Sequence, residues 1–521
     1  MSKHKLPIGI QDFETIISED YIYVDKTEYI YVMVTQGKHY FLSRPRRFGK
    51  SLLISTLHSL FSGKKHLFKG LWIENAPWEW KQYPVICLDM STINNSSDEA
   101  LQLDLIRALN EIAQEHEISL SGVTAANYLE NLIRKLSIKE KVVVLIDEYD
   151  RPIIDRLDDI SVAAKNRDIL KGFYNILKAE GRHLKFLLIT GVTKFAKVSV
   201  FSGLNNLDDL TMLNTYSALL GYTRIELETY FKKEIEEVSY SNGLTVEQGF
   251  DQIKVWYDGY NFSKTGEGVY NPFSTLKLFK TKDFSPYWFE TGTPTFLIDL
   301  IKKREFDLSN LEEITVSGQS FSTFEIEDLP LLPLLYQTGY LTIKSYLSEI
   351  NAYRLGFPNR EVSQSFSESL LTAFARSKAE CSKLLLEISN NLLKAPWDYT
   401  AFFEITEKFF ALIPYDLYVK HEKYFHSLFY LAIKFAGFHI GAEIHTQQGR
   451  TDAVLEMKDK IIVFEFKFDG SSQAASDQIK AKKYYQFYLD RNLPIYLVGI
   501  NFNGEQRAIE SWQVERYQEG G

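Results

Sequence analysis

The chain has 521 residues, of which 45% are hydrophobic and 24% charged, and its net charge is −9 at pH 7. This composition excludes a disordered chain, and no apolar run approaches the ~18 residues that would indicate a membrane helix. With this net charge, any binding of nucleic acid must depend on local basic patches. The first residues lack the apolar stretch of a signal peptide, so we expect a cytoplasmic protein.

The first motif is the run Phe-Gly-Lys-Ser at residues 48–51. It lies between a predicted strand at residues 39–43 and a predicted helix at residues 51–61. It resembles a loop whose backbone N–H groups and helix N-terminus face the phosphates of a nucleotide. In such a loop the lysine reaches the terminal phosphates and the serine hydroxyl holds Mg²⁺. The general motif places a glycine where this chain has Arg44. The residues predicted to bind ATP here are Arg46, Arg47, Phe48, Gly49, Lys50 and Ser51.

A second motif follows at residues 142–148, a β-branched run that ends in two carboxylates. Such a run predicts a buried parallel strand of the Walker B type. Asp147 would hold the Mg²⁺, and Glu148 would be free to polarise the attacking water. Thr190, at the end of the next predicted strand, is a candidate sensor of the γ-phosphate. The alternatives are an ordinary core strand with acidic loop residues and an ordinary threonine at a strand end.

Strands and helices alternate through this part of the chain. Strands are predicted at residues 84–89, 142–148 and 184–190, with helices at residues 100–135 and 168–180. This alternation predicts an α/β fold with a parallel sheet and helices on both faces. One extra strand lies between the phosphate loop and the acidic strand, as in the additional-strand NTPases that include AAA+ and STAND ATPases.

Several longer runs resemble the AAA-ATPase-like family, which is frequent in bacteria and usually fused to a C-terminal PD-(D/E)XK nuclease domain. They lie at residues 6–14, 23–30, 41–51, 145–152, 189–207, 256–262 and 287–297. The resemblance covers nearly the whole chain, and family members carry the same RPRRFGKS run at the phosphate loop. It implies an N-terminal ATPase at residues 1–223 and a nuclease-like domain at residues 412–521.

The middle of the chain is predicted to contain three segments. Residues 224–325 would form a helical lid over the nucleotide; the alternative for the aromatic side chains at residues 256–262 is a core around a tight turn. Residues 326–365 would form a winged-helix-like segment, and residues 366–411 a helical linker. Because the winged segment lacks a basic stripe, we expect it to pack between domains.

The C-terminal pattern predicts the element order αβββαβ of restriction-endonuclease-like folds. Its predicted elements are helix 422–435, strands 438–445, 451–457 and 461–468, helix 474–489 and strand 494–500. Strand side chains alternate with period two, so Glu465 and Lys467 share one face and the phenylalanines between them share the other. A hairpin would bring Asp452 beside Glu465.

These residues resemble the catalytic set of the PD-(D/E)XK family. Asp452 and Glu465 would bind Mg²⁺, or Mn²⁺ in its place, and Lys467 would orient or deprotonate the attacking water. Glu422 could complete the metal shell, with His426 one turn later on the same helix face. The family's Q-x-x-x-x-x-Y pattern falls on Gln478 and Tyr484, which would support the site. The alternatives are a structural salt bridge and, for His426, a packed or capping histidine.

We therefore expect an ATPase coupled to a Mg²⁺-dependent nuclease that acts on nucleic acid, with DNA favoured over RNA. A role in defence or mobile-element biology is expected, and oligomerisation is left open. The alternative is a STAND-like nucleotide switch that binds a partner and carries an inactive nuclease domain. A third interpretation, a transcriptional or defence-signalling regulator, would require a basic surface on the winged segment.

Overall fold

The structure is a computed structural model. It describes residues 5–194, 206–288, 297–298, 300–301, 314–321, 330–375, 377–412, 422–435, 438, 440–446, 449–506 and 508–518. The chain divides into two compact units, one formed by Met1–Trp288 with Thr315–Arg360 and the other by Phe289–Ile314 with Glu361–Gly521. Across the described ranges, no helix has the length and apolar character needed to cross a membrane.

A parallel sheet forms the centre of the first unit. Its strands are β1 (His39–Ser43), β2 (Val85–Asp89), β3 (Val142–Asp147), β4 (Leu184–Gly191) and β5 (Asp208–Asp209). They are ordered β2-β3-β4-β1-β5 with every neighbouring pair parallel. The predicted α/β fold with a parallel sheet is confirmed; in the sheet β4 lies between the phosphate-loop strand and the acidic strand, whereas β2, the extra strand that precedes the acidic strand along the chain, lies at the edge. All of β3 is buried, as its β-branched run predicts.

Helices connect and flank these strands. They are α1 (Phe13–Ser18), α2 (Thr27–Gln36), α3 (Lys50–Phe61), α4 (Asp98–Glu115), α5 (Ala125–Leu136), α6 (Arg151–Ile154) and α7 (Ile160–Ala179). Polar side chains cap the N-termini of several of these helices. The Ser97 hydroxyl accepts from a first-turn N–H of α4, and Thr124 and Asn127 form a capping box on α5. The carboxyl ends of the parallel strands thus face helix starts at one edge of the sheet.

Four helices follow in the same unit, α8 (Arg224–Tyr230), α9 (Lys232–Ser241), α10 (Val246–Tyr257) and α11 (Pro272–Thr281). Their apolar faces share a core that includes Phe231, Ile253 and Phe279. Next come β6 (Ile314–Ser317), α12 (Leu331–Gln337), β7 (Thr342–Leu347) and β8 (Ala352–Gly356), with the strands ordered β6-β8-β7. The limits of the lid, winged and linker segments stay predictions.

The second unit contains a mixed sheet and its helices. Its elements are α13 (Arg360–Phe374), α14 (Lys378–Leu392), α15 (Tyr399–Ala411), α16 (Glu422–Phe435), β9 (Ile440–Thr446), β10 (Gly449–Glu456), β11 (Ile461–Phe468), α17 (Ser472–Lys482), β12 (Ile495–Asn503) and β13 (Ala508–Arg516). The sheet order is β13-β12-β11-β10-β9, and only β11 and β12 are parallel among its described pairs. The order αβββαβ is confirmed.

Two features of this unit differ from the prediction. The predicted helix 474–489 is wrong in its second half, because α17 ends at Lys482 and a short 3₁₀ helix, Tyr484–Arg491, follows. Lys483 has φ +49°, a left-handed conformation that ends the α-helical hydrogen-bond pattern. The sequence analysis also missed β13, an edge strand whose half-polar side chains give a weak strand signal.

Candidate functional site

The phosphate loop folds so that its backbone is open and its lysine is turned inward. Gly49 has φ +94°, and a Cβ placed there would meet no atom within 4 Å. This leaves the backbone accessible at the start of α3, where the helix N-terminus favours an anion. Lys50 is buried, and its Nζ donates to the carbonyl oxygens of Arg44 at 3.0 Å and Pro45 at 3.1 Å.

Arg44, which replaces the first glycine of the general motif, anchors the loop from within. Its guanidinium donates to the carbonyl oxygens of Ser43 at 2.9 Å, Thr211 at 2.7 Å and Tyr216 at 3.1 Å. Its central carbon lies 4.2 Å from the centre of the Phe262 ring. The side chain is 1% exposed, and burial lowers the pKa of its guanidinium to about 10. Sequence analysis recognised the substitution but not this structural role.

The other bulky loop residues contact the segment predicted to be a lid. The Phe48 ring centre lies 4.8 Å from that of Tyr260, and the Arg47 guanidinium lies 4.6 Å from the Phe273 ring centre. The indole of Trp288 donates to the carbonyl oxygen of Arg46 at 3.2 Å. The Phe48 side chain is therefore used in packing, which leaves its backbone for a phosphate. The roles of Arg46, Arg47 and Phe48 toward ATP stay predictions.

The acidic strand and its neighbour bring Asp147 and Thr190 together. The Thr190 hydroxyl donates to Oδ1 of Asp147, and the same oxygen accepts from the Glu148 backbone N–H at 3.0 Å. Thr190 is fully buried, so its hydroxyl is fixed beside the carboxylate. The remaining predicted Mg²⁺ ligand, Ser51, is the second residue of α3. A polar side chain therefore lies at the strand end beside Asp147, as a γ-phosphate sensor would.

Glu148 forms an ion pair in this structure, and its role in polarising the attacking water stays a prediction. Its Oε2 lies 3.2 Å from Nη1 of Arg151, a residue that the sequence analysis missed. Glu148 has φ +52°, a left-handed conformation that directs it away from the strand. Burial raises the pKa of its carboxyl, against the opposing effect of Lys50 and Arg151. A basic residue three positions after Glu148 in a helical turn was the available signal.

Burial also changes the pKa values of two neighbours of Glu148. It lowers the pKa of Lys50, and the charge of Asp147 opposes that change. Burial raises the pKa of Asp150, which accepts from the Thr193 backbone N–H at 2.7 Å and from the Thr193 hydroxyl at 2.6 Å. Asp150 therefore fastens the loop after β3 to the end of β4.

In the second unit, Asp452 and Glu465 lie on adjacent strands. Oδ2 of Asp452 accepts from the backbone N–H of Phe466 at 2.7 Å, which fixes the carboxylate against β11. Glu465 is 2% exposed, and its Oε1 accepts from the Gln478 amide. Lys467 Nζ donates to Oε1 of Gln478 at 2.7 Å and lies 3.7 Å from Oε1 of Glu465. The structure thus brings Glu465, Lys467 and Gln478 into contact and places Asp452 on the adjacent strand.

Apolar side chains support the opposite face of β11. The ring centres of Phe464 and Phe466 lie 5.1 Å and 5.3 Å from that of Phe429 on α16. Tyr484 is buried in an apolar core with Val463, which shares the Glu465 face of β11, and its predicted support of the site stays a prediction. The alternation that the strand period predicted is therefore observed.

The predicted metal shell is only partly within the described residues. The structure describes the backbone of α16, but the side chains of Glu422 and His426 lie outside the described residues. Among the described side chains, no group of three or more His, Cys, Asp or Glu is placed to hold a metal ion. Asp452 and Glu465 supply two carboxylates, the ligand type that Mg²⁺ prefers.

Asn501 is a further polar residue of this site that the sequence analysis missed. It is buried, and it pairs in register with Lys467 across β11 and β12. It accepts from the Gly470 N–H at 2.9 Å and donates to Glu510. In parallel strands, paired residues point to the same face, and this was the available signal.

The chain matches two family models. One, described as predicted AAA-ATPase, covers residues 7–201, and the other, described as PD-(D/E)XK nuclease superfamily, covers residues 420–512. A protein of Azotobacter chroococcum mcd 1, described as "Uncharacterized protein in vnfD 5'region", is 39% identical over 531 residues, which is 99% of each chain. No solved structure matches.

Proposed function

The chain belongs to the AAA-ATPase-like family with a C-terminal PD-(D/E)XK nuclease superfamily domain, and from this we propose that it is an ATP-binding, metal-dependent nuclease. The first unit would bind and hydrolyse ATP, and the second would hydrolyse phosphodiester bonds of nucleic acid, with DNA favoured. The nuclease part of the proposal is carried by the hydrogen-bonded set of Glu465, Lys467 and Gln478, together with Asp452 on the adjacent strand, whose carboxylate is held by the Phe466 N–H.

At the nucleotide site, Lys50 has the central role. Its ammonium is held by two loop carbonyl oxygens in this conformation, and it would exchange them for the terminal phosphates of ATP. The exchange is favourable because a phosphate is a charged acceptor and a carbonyl is not. Asp147 and Ser51 suit Mg²⁺ as hard oxygen ligands, and the ion would offset the phosphate charge. Thr190 then holds the Asp147 carboxylate in place.

Hydrolysis would require Glu148 to leave Arg151. The 3.2 Å contact holds one carboxylate oxygen against a cation, which opposes the increase that burial causes in the pKa of the Glu148 carboxyl and so weakens it as a base. We propose that closure of the aromatic lid on ATP releases it. Contacts of Phe48 and Arg47 with Tyr260 and Phe273 connect the loop directly to that lid.

At the nuclease site, the described residues fit a metal that prefers oxygen ligands. The ion would polarise the scissile phosphate and a water molecule when bound. Asp452 and Glu465 would hold it, because their carboxylates are fixed by the Phe466 N–H and by the Gln478 amide. Lys467, oriented by Gln478, would take the proton from water or stabilise the charge that develops on the phosphate.

A second function is favoured by one observation. Lys50 and Glu148 are both engaged with protein groups, as in a switch whose nucleotide is bound more often than it is hydrolysed. In that case the chain would be a STAND-like regulator that binds a partner, with an inactive nuclease domain. The two functions differ in whether nucleic acid is cut at all.

The direct test is cleavage of plasmid DNA and of RNA by the whole protein. Reactions contain Mg²⁺ or Mn²⁺, with and without ATP, and EDTA reactions are the control. We expect divalent-dependent cleavage that ATP changes. A protein that binds ATP but cuts neither substrate under any of these conditions would favour the switch.

A further inference from the structure

A surface of the second unit follows the nuclease residues directly along the chain. We call it the Lys-Phe surface and define it by Lys482, Lys483 and Phe487. Lys482 lies four residues after Gln478, so both are on the same face of α17. The surface therefore begins one helical turn from the side chain that bonds Glu465 and Lys467.

Phe487 is unusual in its exposure. It is 80% exposed, and no other phenylalanine side chain in the described part of the chain is classed as exposed. Its ring centre lies 5.4 Å from that of Tyr488 in an edge-to-face arrangement, and Tyr488 is 3% exposed. The Phe487 ring thus contacts Tyr488 and is otherwise open to solvent. An open aromatic ring of this kind suits stacking by a base.

The two lysines differ from the basic residues around them. Lys480 pairs with Glu515 at 2.5 Å, and Arg491 lies 3.8 Å from Glu456. Lys482 and Lys483 are exposed, and neither forms an ion pair with a described residue. Their charges are available to an anion, unlike those of their neighbours.

Lys483 also occupies a position that favours glycine. It is the C-cap of α17 with φ +49°, where a side chain carries a backbone cost that glycine avoids. Lys483→Gly therefore removes the ammonium without adding backbone strain.

We propose that the Lys-Phe surface binds a single-stranded segment of nucleic acid and leads it to Asp452, Glu465 and Lys467. The inference rests on the proposed nuclease function and adds the form of the substrate. The lysines would contact phosphates, and Phe487 would stack on an unpaired base. From helical rises of ~1.5 and ~2.0 Å per residue, Phe487 lies within about 18 Å of Gln478, a span of a few nucleotides.

Duplex nucleic acid does not fit this surface equally well. Its bases are stacked inside the helix, so a ring standing on a protein surface cannot reach their faces. Single-stranded DNA and RNA supply the same phosphates and base faces, and separate binding measurements distinguish them.

The test is fluorescence anisotropy with the full-length protein in EDTA, which prevents metal-dependent cleavage. The probes are labelled 20-nucleotide DNA, RNA of the same sequence, and the DNA duplex. Phe487→Ala should weaken single-strand binding roughly 5- to 100-fold and leave duplex binding within about twofold. Lys482→Gln and Lys483→Gly should each lower the salt slope of single-strand binding by about 0.7. Tyr240→Ala, which removes another exposed aromatic ring, is the matched control and should bind as the parent does.

Lys483→Gly separates an effect on single-strand binding from an effect on stability. It should melt no lower than the parent, since glycine suits the left-handed position, while it binds the single strand more weakly. Three outcomes would overturn the inference. The parent and Phe487→Ala could bind the single strand equally, Tyr240→Ala could lose as much binding as Phe487→Ala, or the parent could fail to bind. Phe487-dependent binding without cleavage under any metal condition would instead contradict the nuclease function and leave this surface standing.

Discussion

Restoring the general phosphate-loop motif by Arg44→Gly should damage this protein. The substitution supplies the glycine of the general motif but removes a buried guanidinium that donates to the carbonyl oxygens of Thr211 and Tyr216. Each buried acceptor left without a donor costs about 1–3 kcal/mol, and the cavity adds to this. Recovery of the desolvation cost of the charge offsets part of the loss. We expect a net destabilisation of about 3–5 kcal/mol.

The measurement is a thermal melt followed by circular dichroism, together with an ATP titration. For a unit of about 330 residues, the unfolding entropy is ~0.7 kcal/mol per degree, so the melting temperature should fall by about 4–7 °C. ATP affinity should fall about tenfold or more, because the loop backbone that would face the phosphates loses its anchor.

Arg47→Gly is the matched control, the same chemical change three residues on. Arg47 is exposed and has φ +69°, which glycine adopts without strain. Loss of its contact with Phe273 costs ~0.5–1 kcal/mol, so the net change in stability should stay within about 1 kcal/mol. An Arg44→Gly protein that melts and binds ATP like the parent would refute the anchoring role, as would an equal loss of stability in Arg47→Gly.

Three other changes test the two sites. Lys50→Ala should lose high-affinity ATP binding, because the lysine is the principal cation on the terminal phosphates, and a nucleotide titration with unchanged affinity would remove the phosphate-loop assignment. Glu148→Gln should keep ATP affinity and lose turnover in a phosphate-release assay, whereas loss of both would show a structural role. Asp452→Ala and Glu465→Ala should each lose any stabilisation by Mg²⁺ or Mn²⁺, and each should melt somewhat lower than the parent in EDTA because the Phe466 N–H or the Gln478 amide loses its acceptor. A metal-dependent rise in melting temperature that persists in both variants would place the metal elsewhere.

The alternation of side chains along a strand and the order of helices and strands predicted the framework of the candidate nuclease site. β11 and α16 have the predicted bounds, 461–468 and 422–435. Because a strand alternates its faces, the sequence was sufficient to place Glu465 and Lys467 opposite Phe464 and Phe466. The parallel order of the first sheet likewise followed from the alternation of strands and helices.

The long-range and backbone-dependent contacts around the two sites could not be predicted from the sequence. Arg44 bonds residues about 170 positions away, and nothing in a local pattern indicates such a partner. The Glu148–Arg151 pair depends on a left-handed backbone conformation at Glu148, which the sequence favours only weakly. Similarly, the break in the predicted helix depends on a left-handed backbone conformation at Lys483, which a lysine does not indicate.

The most direct test of the central proposal is the rate at which the protein and its Asp452→Ala and Lys467→Ala variants cut labelled DNA with Mg²⁺ or Mn²⁺ in the presence of ATP. Each variant removes one group that acts on the transition state, worth ~3 kcal/mol, so cleavage should fall by ~10² or more while the variants stay folded. Cleavage at the parent rate by both variants, or no cleavage by the parent in either metal, would contradict the account.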